Sequence, residues 1–397
     1  MRQPDFTVTA GPTMAWPKVL AAQAAPILYH YDPAFLEAFR RTERKVGQLY
    51  RTKQDILLMQ GEAILGLEAG ARGLVRPGHA CLNLVSGLFG RYMGYWLRDF
   101  GAELHELEVG YDDAIDPAEV DRYLTEHPEI EFVSVVHSET PSGTLNPLAE
   151  IGPIAKKHGC LTFVDCVSSL GGMPVFPDEW SLDICVAGAQ KCMAGPPGMS
   201  LMSVSEDAWK FIRENPSAPR GSFLSMLDWK EQWIDGEKFP FTPSVVDLYG
   251  VEAACDEILE QGLEASFAQH ELAAKATRAG IQGMGLSLWA CREEITAACA
   301  TAIKVPDGLD HQVVRDHCRE HYGVMVSGGQ GAGNLVRIGH MGPTARSLYP
   351  IVGLSALGRT FADLGVPVAV GAGVEAALEV LSTAASTSST STIVGGR

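Results

Sequence analysis

Seven short apolar runs with strand character, near 56–59, 80–85, 103–109, 132–136, 161–164, 184–187 and 201–204, alternate with helical spacing at 88–100, 117–126 and 148–158. Few folds satisfy that alternation. It predicts an α/β chain built on a large, doubly wound, mostly parallel sheet, with the crossover helices covering both faces. The first strand runs straight into Gly61 and Glu62 and then the apolar-periodic ILGLEAGARGLV. Such a strand–glycine–helix junction presents free N–H groups and the positive end of a helix dipole, a ready anion site. Ahead of it, Phe35, Phe39, Val46 and Leu49 give a helix over 33–51. Residues 1–20, with Gly11 and Pro12, read as an irregular arm, and 21–250 as the large domain. The aromatic-rich stretch 206–245 lacks regular patterning and reads as a lid or an interface. A long helix, roughly 246–282, leads into a smaller α+β domain within 251–381, with strands at 302–305, 324–327 and 335–338 and helices at 311–321 and 346–364. The polar, low-complexity tail 382–397 is expected to be disordered.

Sheets of this kind bind ligands in the crevice beyond the C-terminal ends of their strands. Two residues stand at such ends. One apolar run closes on Asp165, and the run 184–187 is punctuated by Gly188 and followed by Gln190 and Lys191, before Gly195, Pro196, Pro197 and Gly198 stop regular structure. On its own stretch, Lys191 reads equally well as a surface loop lysine. Partial desolvation, however, exposes the neutral amine that forms Schiff bases with carbonyl compounds. A carboxylate at a neighbouring strand end completes what a pyridoxal-type site needs, because the acid keeps the pyridine nitrogen protonated and the ring can then take up electrons. Arg337, within the apolar LVRIGHMG, is costly to bury unless it is paired. It serves either a structural ion pair or a bidentate grip on a substrate carboxylate. The nearby SGGQGAG lacks the strand-then-helix context of a dinucleotide fingerprint.

Charge and composition narrow the partners. A net charge of −17 argues against nucleic acid and anionic membranes, both of which need basic surface. The one basic cluster, Arg40 to Lys45, reads as a solvated helix face. No apolar run approaches the roughly 20 residues of a membrane span, and no basic-then-apolar leader opens the chain. Nine cysteines without a C-x-x-C pair, and no histidines at ligand spacing in sequence, give the expectation of free thiols, a cytoplasmic setting and no metal.

VDCVSSLGG (164–172), GAQKCMAGPPG (188–198) and RIGHMG (337–342), in that order, resemble the class V branch of the fold-type I, pyridoxal-phosphate-dependent aminotransferases. The resemblance runs from about Thr9 to about Leu381. It implies that Lys191 carries the aldehyde and moves protons, that Asp165 faces the ring nitrogen and that Arg337 holds the substrate carboxylate. Phe89, in SGLFG, would stack on one face of the ring and Val167 would cover the other; from the residues alone, both could be core hydrophobes. Thr140, in HSETPSG, would turn a hydroxyl to the cofactor, or simply stabilise a turn. Gln190 matches the glutamine of the alanine–glyoxylate branch. The family also implies a homodimer or homotetramer with the site near the subunit interface, and small-molecule substrates.

Departures from the family pattern are informative. Where relatives cradle the cofactor phosphate with small hydroxyl or histidine side chains, this chain reads Gln60-Gly61-Glu62-Ala63. Where relatives offer a tyrosine from the neighbouring subunit, three residues before a threonine, it has Phe239, and only Thr242 of that pair remains. A glutamate in a first helical turn also complements the dipole. Taken together, the two changes match the group that moves the amino group of pyridoxamine to pyruvate, giving pyridoxal and L-alanine. In that group unphosphorylated vitamin B6 is a substrate and no tightly bound cofactor is expected. One change runs the other way, since Gln330 stands where that group carries a second arginine. The alternative is a pyridoxal 5'-phosphate-dependent alanine/serine–glyoxylate-type enzyme. A same-fold desulfurase would need a loop cysteine, and 322–340 has none. A non-catalytic B6 binder would not need the set Lys191, Asp165 and Arg337.

Overall fold

The computed structural model describes residues 3–390. Its body is a seven-stranded sheet of β1 (Asp55–Gln60), β2 (Ala80–Val85), β3 (Glu103–Glu108), β4 (Phe132–Val136), β5 (Leu161–Asp165), β6 (Ile184–Gly188) and β7 (Met199–Val204). In space the order is β1-β7-β6-β5-β4-β2-β3. Neighbours from β6 through β3 pair in parallel, whereas β7 runs antiparallel to both β1 and β6. The reversal has a local cause. The loop from β6 to β7 is too short to hold a crossover helix, and its Pro196-Pro197-Gly198 turn sends the chain back. Strands β2, β4, β6 and β7 are buried along their whole length, as expected of a sheet covered on both faces.

Helices α1 (Pro17–Gln23), α2 (Pro33–Tyr50), α3 (Ala63–Leu74), α4 (Leu88–Asp99), α5 (Pro117–Glu126), α6 (Leu148–Lys157) and α7 (Glu206–Glu214) belong to this body. Three start on an aspartate or serine cap: Asp32, Asp116 and Ser205 each accept from a backbone N–H in the first turn. The stretch 206–245 is therefore partly regular. It opens with α7 and later makes a π-helical turn, Trp229–Ile234. That turn packs Trp229 and Trp233 with Phe39 and Phe239, with centroids 4.9 Å apart for Phe39–Phe239 and 4.1 Å for Trp233–Phe239.

The long helix expected over 246–282 is two helices, α8 (Val245–Gln261) and α9 (Leu263–Gly283). Gly262 separates them with φ 90° and ψ 140°, a conformation that side chains other than glycine's resist. Periodicity carries across a one-residue break, so it is invisible in the spacing. The smaller domain has its own apolar core, with Val314, Ile338, Leu354 and Phe361 fully buried. Its sheet runs β8 (Ala300–Lys304), β10 (Leu335–Gly339), β9 (Ser327–Gly328), flanked by α10 (His311–Tyr322) and α11 (Tyr349–Asp363). The run expected as one strand over 324–327 is split. Val324–Met325 pairs with Phe6–Thr7 of the N-terminal arm, and Ser327 joins the β9–β10 ladder. A last helix, α12 (Val370–Thr390), continues into the tail expected to be disordered, while 391–397 lie outside the described residues. Its apolar stripe packs on α9, which outweighs the poor helix propensity of the serines and threonines at its end.

The Arg40 to Lys45 face is not simply solvated. Lys45 lies 2.8 Å from Glu252 and 2.6 Å from Asp256 on α8, and Arg41 grips both oxygens of Glu252. Burial pushes the Glu252 carboxyl up, but Arg41 and Lys45 outweigh it and hold the group below 4.5. A depressed carboxyl adds stability above its unfolded pKa and loses it as pH falls through the folded value. Glu252→Gln should thus cost about 1–2 kcal/mol at neutral pH. In urea melts the gap to wild type should close as pH drops below 4.5.

Candidate active site

At the C-terminal ends of β5 and β6 lies a cavity of about 270 Å³ lined by Glu62, Phe89, Thr140, Asp165, Val167, Gln190 and Lys191, together with Gly11, Pro12 and Ser138. Seven residues read from the sequence as site residues therefore meet at one place. Asp165 ends β5 and is buried; its Oδ1 accepts from the Val167 N–H at 2.9 Å. Burial pushes its carboxyl up to about 6, against the pull of that N–H and of Lys191. Lys191 follows β6 by three residues, at the base of the cavity. Burial and then the Arg337 guanidinium drive its amine below the ordinary lysine value, which favours the nucleophilic neutral form.

The walls come from helix starts. Glu62 is the N-cap of α3: one carboxylate oxygen accepts from the Ile64 N–H at 2.9 Å and the other from the Gln190 amide at 2.6 Å. It stands at the open side of the cavity, while Gln190 is buried with its own Oε1 lacking a partner. That orphaned acceptor suits a ligand hydroxyl or amine. Phe89 is held by a residue that the sequence reading did not single out. Glu139, fully buried, accepts from the N–H groups of Phe89 at 3.1 Å and Gly90 at 2.7 Å, capping α4. Burial raises its carboxyl to about 7 even so. Thr140 turns its hydroxyl to that of Ser168.

Arg337 stands behind this lining on β10, 2% exposed. Its Nε donates to the Gly328 carbonyl at 2.8 Å and its Nη1 to the Thr140 carbonyl at 2.7 Å. Both of these partners are backbone carbonyls, and no carboxylate pairs with it among the described residues. Burial lowers it to about 10. A guanidinium has five N–H donors. With one Nε and one Nη1 hydrogen used, three N–H donors remain.

The N-terminal arm contributes contacts that sequence spacing does not signal. The Lys191 Nζ donates to the Ala10 carbonyl at 3.0 Å, and the Ala10 N–H donates to the Ser327 hydroxyl at 2.9 Å. Gly11 passes over the lysine at φ +109°, and a Cβ there would lie 2.4 Å from Lys191 Cδ and Nζ. Three positions fall elsewhere. Thr242 and Gln330 are exposed and do not line the cavity, and Phe239 is buried among Phe35, Phe39 and Trp233.

The model of the class V aminotransferase family matches residues 18–349. The chain belongs to the class V aminotransferases. It is 46% identical over 380 residues to a pyridoxamine–pyruvate transaminase of Mesorhizobium japonicum, covering 95% of this chain and 97% of that one. Among solved structures it resembles pyridoxamine–pyruvate aminotransferase from Mesorhizobium loti, with a TM-score of 0.94 and 45% identity over 96% of this chain and 98% of that one. An alanine–glyoxylate aminotransferase of Drosophila melanogaster is 30% identical over 84% of this chain and 86% of its own. The mixed sheet with its smaller C-terminal unit is thus an aminotransferase fold, and the chain is an aminotransferase. Among the described residues no helix is long and apolar enough to cross a membrane.

For this class V chain, Gly11→Ala should impair turnover at least tenfold, because the methyl must displace the lysine and the backbone is strained at positive φ. Stopped-flow measurement of pyridoxal binding, through its visible absorption change, checks this, and a slowed reaction is the expected outcome. Unchanged kinetics would mean that the arm gives way freely.

Proposed function

We propose that this aminotransferase transfers the amino group of pyridoxamine to pyruvate, yielding pyridoxal and L-alanine. The observation that carries the reading is Glu62. A helix N-terminus facing a cavity is where a phosphate is ordinarily bound. Here a carboxylate accepts from the Ile64 N–H in the first turn of α3 and is fixed by Gln190, so the position is filled by negative charge and offers an acceptor to a primary alcohol. Two unit charges 4 Å apart repel by about 1 kcal/mol in water and about 4 kcal/mol at an effective dielectric of 20. A phosphate ester near two charges meets that cost on each. The 46% identity to a pyridoxamine–pyruvate transaminase supports the same substrates.

The bound B6 ring supplies the electron sink on which amino transfer depends. In this reading the chain's residues do the rest. Asp165 keeps the ring nitrogen protonated, and Phe89 and Val167 hold the ring between them. The Lys191 Nζ takes a proton from one carbon of the transferring unit and returns it to the other. Arg337 grips the keto-acid carboxylate through its outer edge, and Thr140, whose carbonyl steadies that guanidinium, sets the distance between the carboxylate and the lysine. Thr242 would act in a neighbouring subunit's site within a homodimer or homotetramer, and the protein would work in the cytoplasm. No B6 phosphate would remain tightly bound. Under the alternative, a pyridoxal 5'-phosphate-dependent alanine/serine–glyoxylate enzyme, it would co-purify.

Amino transfer to pyruvate, measured side by side with pyridoxamine and its phosphate, tests the reading. Wild type should prefer the alcohol by at least tenfold in kcat/KM, and Glu62→Ser should narrow or invert the ratio. A wild-type preference for the phosphate, or tight co-purification of it, would leave Glu62 as a helix cap and favour the alternative. For Arg337→Lys, kcat/KM for the keto acid should fall roughly 30- to 1,000-fold, because an ammonium does not reproduce the fork. Pyridoxal affinity should hardly move. Equal losses for both substrates would mark the arginine as structural.

A further inference from the structure

On the opposite flank of the sheet from β1, three groups able to ligate a metal converge. His105 projects from β3, the edge strand; His127 is the C-cap of α5; Glu129 follows in the loop toward β4. One ligating atom from each lies within 4.8 Å of the other two, and among the described residues this is the one such group of three. The histidines stand 22 positions apart, so their meeting is a product of the fold and leaves no mark in sequence spacing.

The cluster is held in place from behind. Tyr123 of α5 lays its ring on His127, with centroids 4.5 Å apart, and its hydroxyl meets His105 Nδ1 at 3.1 Å. The two imidazoles are themselves 4.9 Å apart at 64°. A partner on one ring nitrogen fixes the tautomer and orientation of an imidazole, the usual support of a metal-ligating histidine. His127 Nδ1 already lies 3.1 Å from a Glu129 oxygen, and Glu129 is half exposed. The end of α5 adds the negative pole of the helix dipole beside His127, and the chain's net charge of −17 favours cations.

We propose that His105, His127 and Glu129 form a surface site for a divalent transition metal of the zinc, nickel and copper class, with water completing the shell. Two imidazoles and one carboxylate are the donor set of that class, whereas magnesium and calcium require oxygen ligands. At ligand distances near 2.0–2.1 Å, tetrahedral donors stand about 3.3–3.5 Å apart. The approach needed is small, from ligating atoms that already lie within 4.8 Å of one another. A bound ion would tie the end of α5 to the edge strand. The site lies three strands from Asp165 in the sheet order, well outside the amino-transfer cavity.

The test uses the full-length, tag-free protein stripped with chelator. Calorimetric titration with zinc and with nickel should give one site per chain with micromolar affinity, none for magnesium, and a zinc-dependent rise in melting temperature. His105→Ala with His127→Ala should weaken zinc at least tenfold, while Cys291→Ser, which removes the exposed thiol, should not. Amino-transfer rates without metal should be unchanged in both. Should the double variant misfold, Glu129→Gln, an exposed change, should weaken zinc alone. Absence of saturable zinc binding, or equal affinity in wild type and these ligand variants, would overturn the proposal.

Discussion

The site depends on holding Lys191, Asp165 and Arg337 near one another without letting the carboxylate close into an ion pair with either cation. A direct bridge from Lys191 to Asp165 would keep the amine charged and occupy the carboxylate that faces the ring nitrogen in the proposed reaction. Instead the lysine rests on the Ala10 carbonyl and the aspartate on the Val167 N–H. Burial then dominates both, drawing the lysine down and the aspartate up to about 6. Arg337 reinforces the effect from β10, since a cation behind a buried amine disfavours a second charge. Neutral carbonyls, not carboxylates, position the guanidinium, so they leave its charge unneutralised.

That arrangement requires the two halves of the chain to be fixed relative to each other, and the arm supplies much of the connection. Within a few residues, Phe6–Thr7 pairs with Val324–Met325, Val8 accepts from Gly339, Ala10 donates to Ser327 and Thr13 donates to the Gln190 carbonyl. Ser327 is opposite Arg337 in the β9–β10 register. One short backbone segment thus touches the strand pair that carries Arg337 and the loop that carries Lys191.

Much of this was legible in the sequence because it rests on local signals. Alternating apolar runs located the strands, and the strand-end rule placed Asp165 and Lys191 in one crevice before any geometry was known. What could not be read came from contacts between distant segments. Glu139 looked like one more polar residue in HSETPSG, yet its carboxylate caps the helix that carries Phe89, a pairing across 50 positions. The break at Gly262 hid inside an unbroken apolar period. Arg41 and Lys45 looked solvated because their acidic partners lie on α8. The direction of β7 followed from the brevity of a loop, a feature visible only once both strands were placed.

The position of β1 has a consequence for how the molecule comes to exist. Its one neighbour in the sheet is β7, with Gln60 opposite Met199. The strand that leads into Glu62 is made early and has no sheet partner until the chain has passed beyond Val204. Pairing across so long a separation is slow, because loop closure is costly before contacts reward it. During synthesis the Glu62 end of the cleft is therefore completed after the central strands β2, β4 and β5 have found one another. A nascent chain stalled before β7 would display an unpaired apolar edge, and there a chaperone would meet it first.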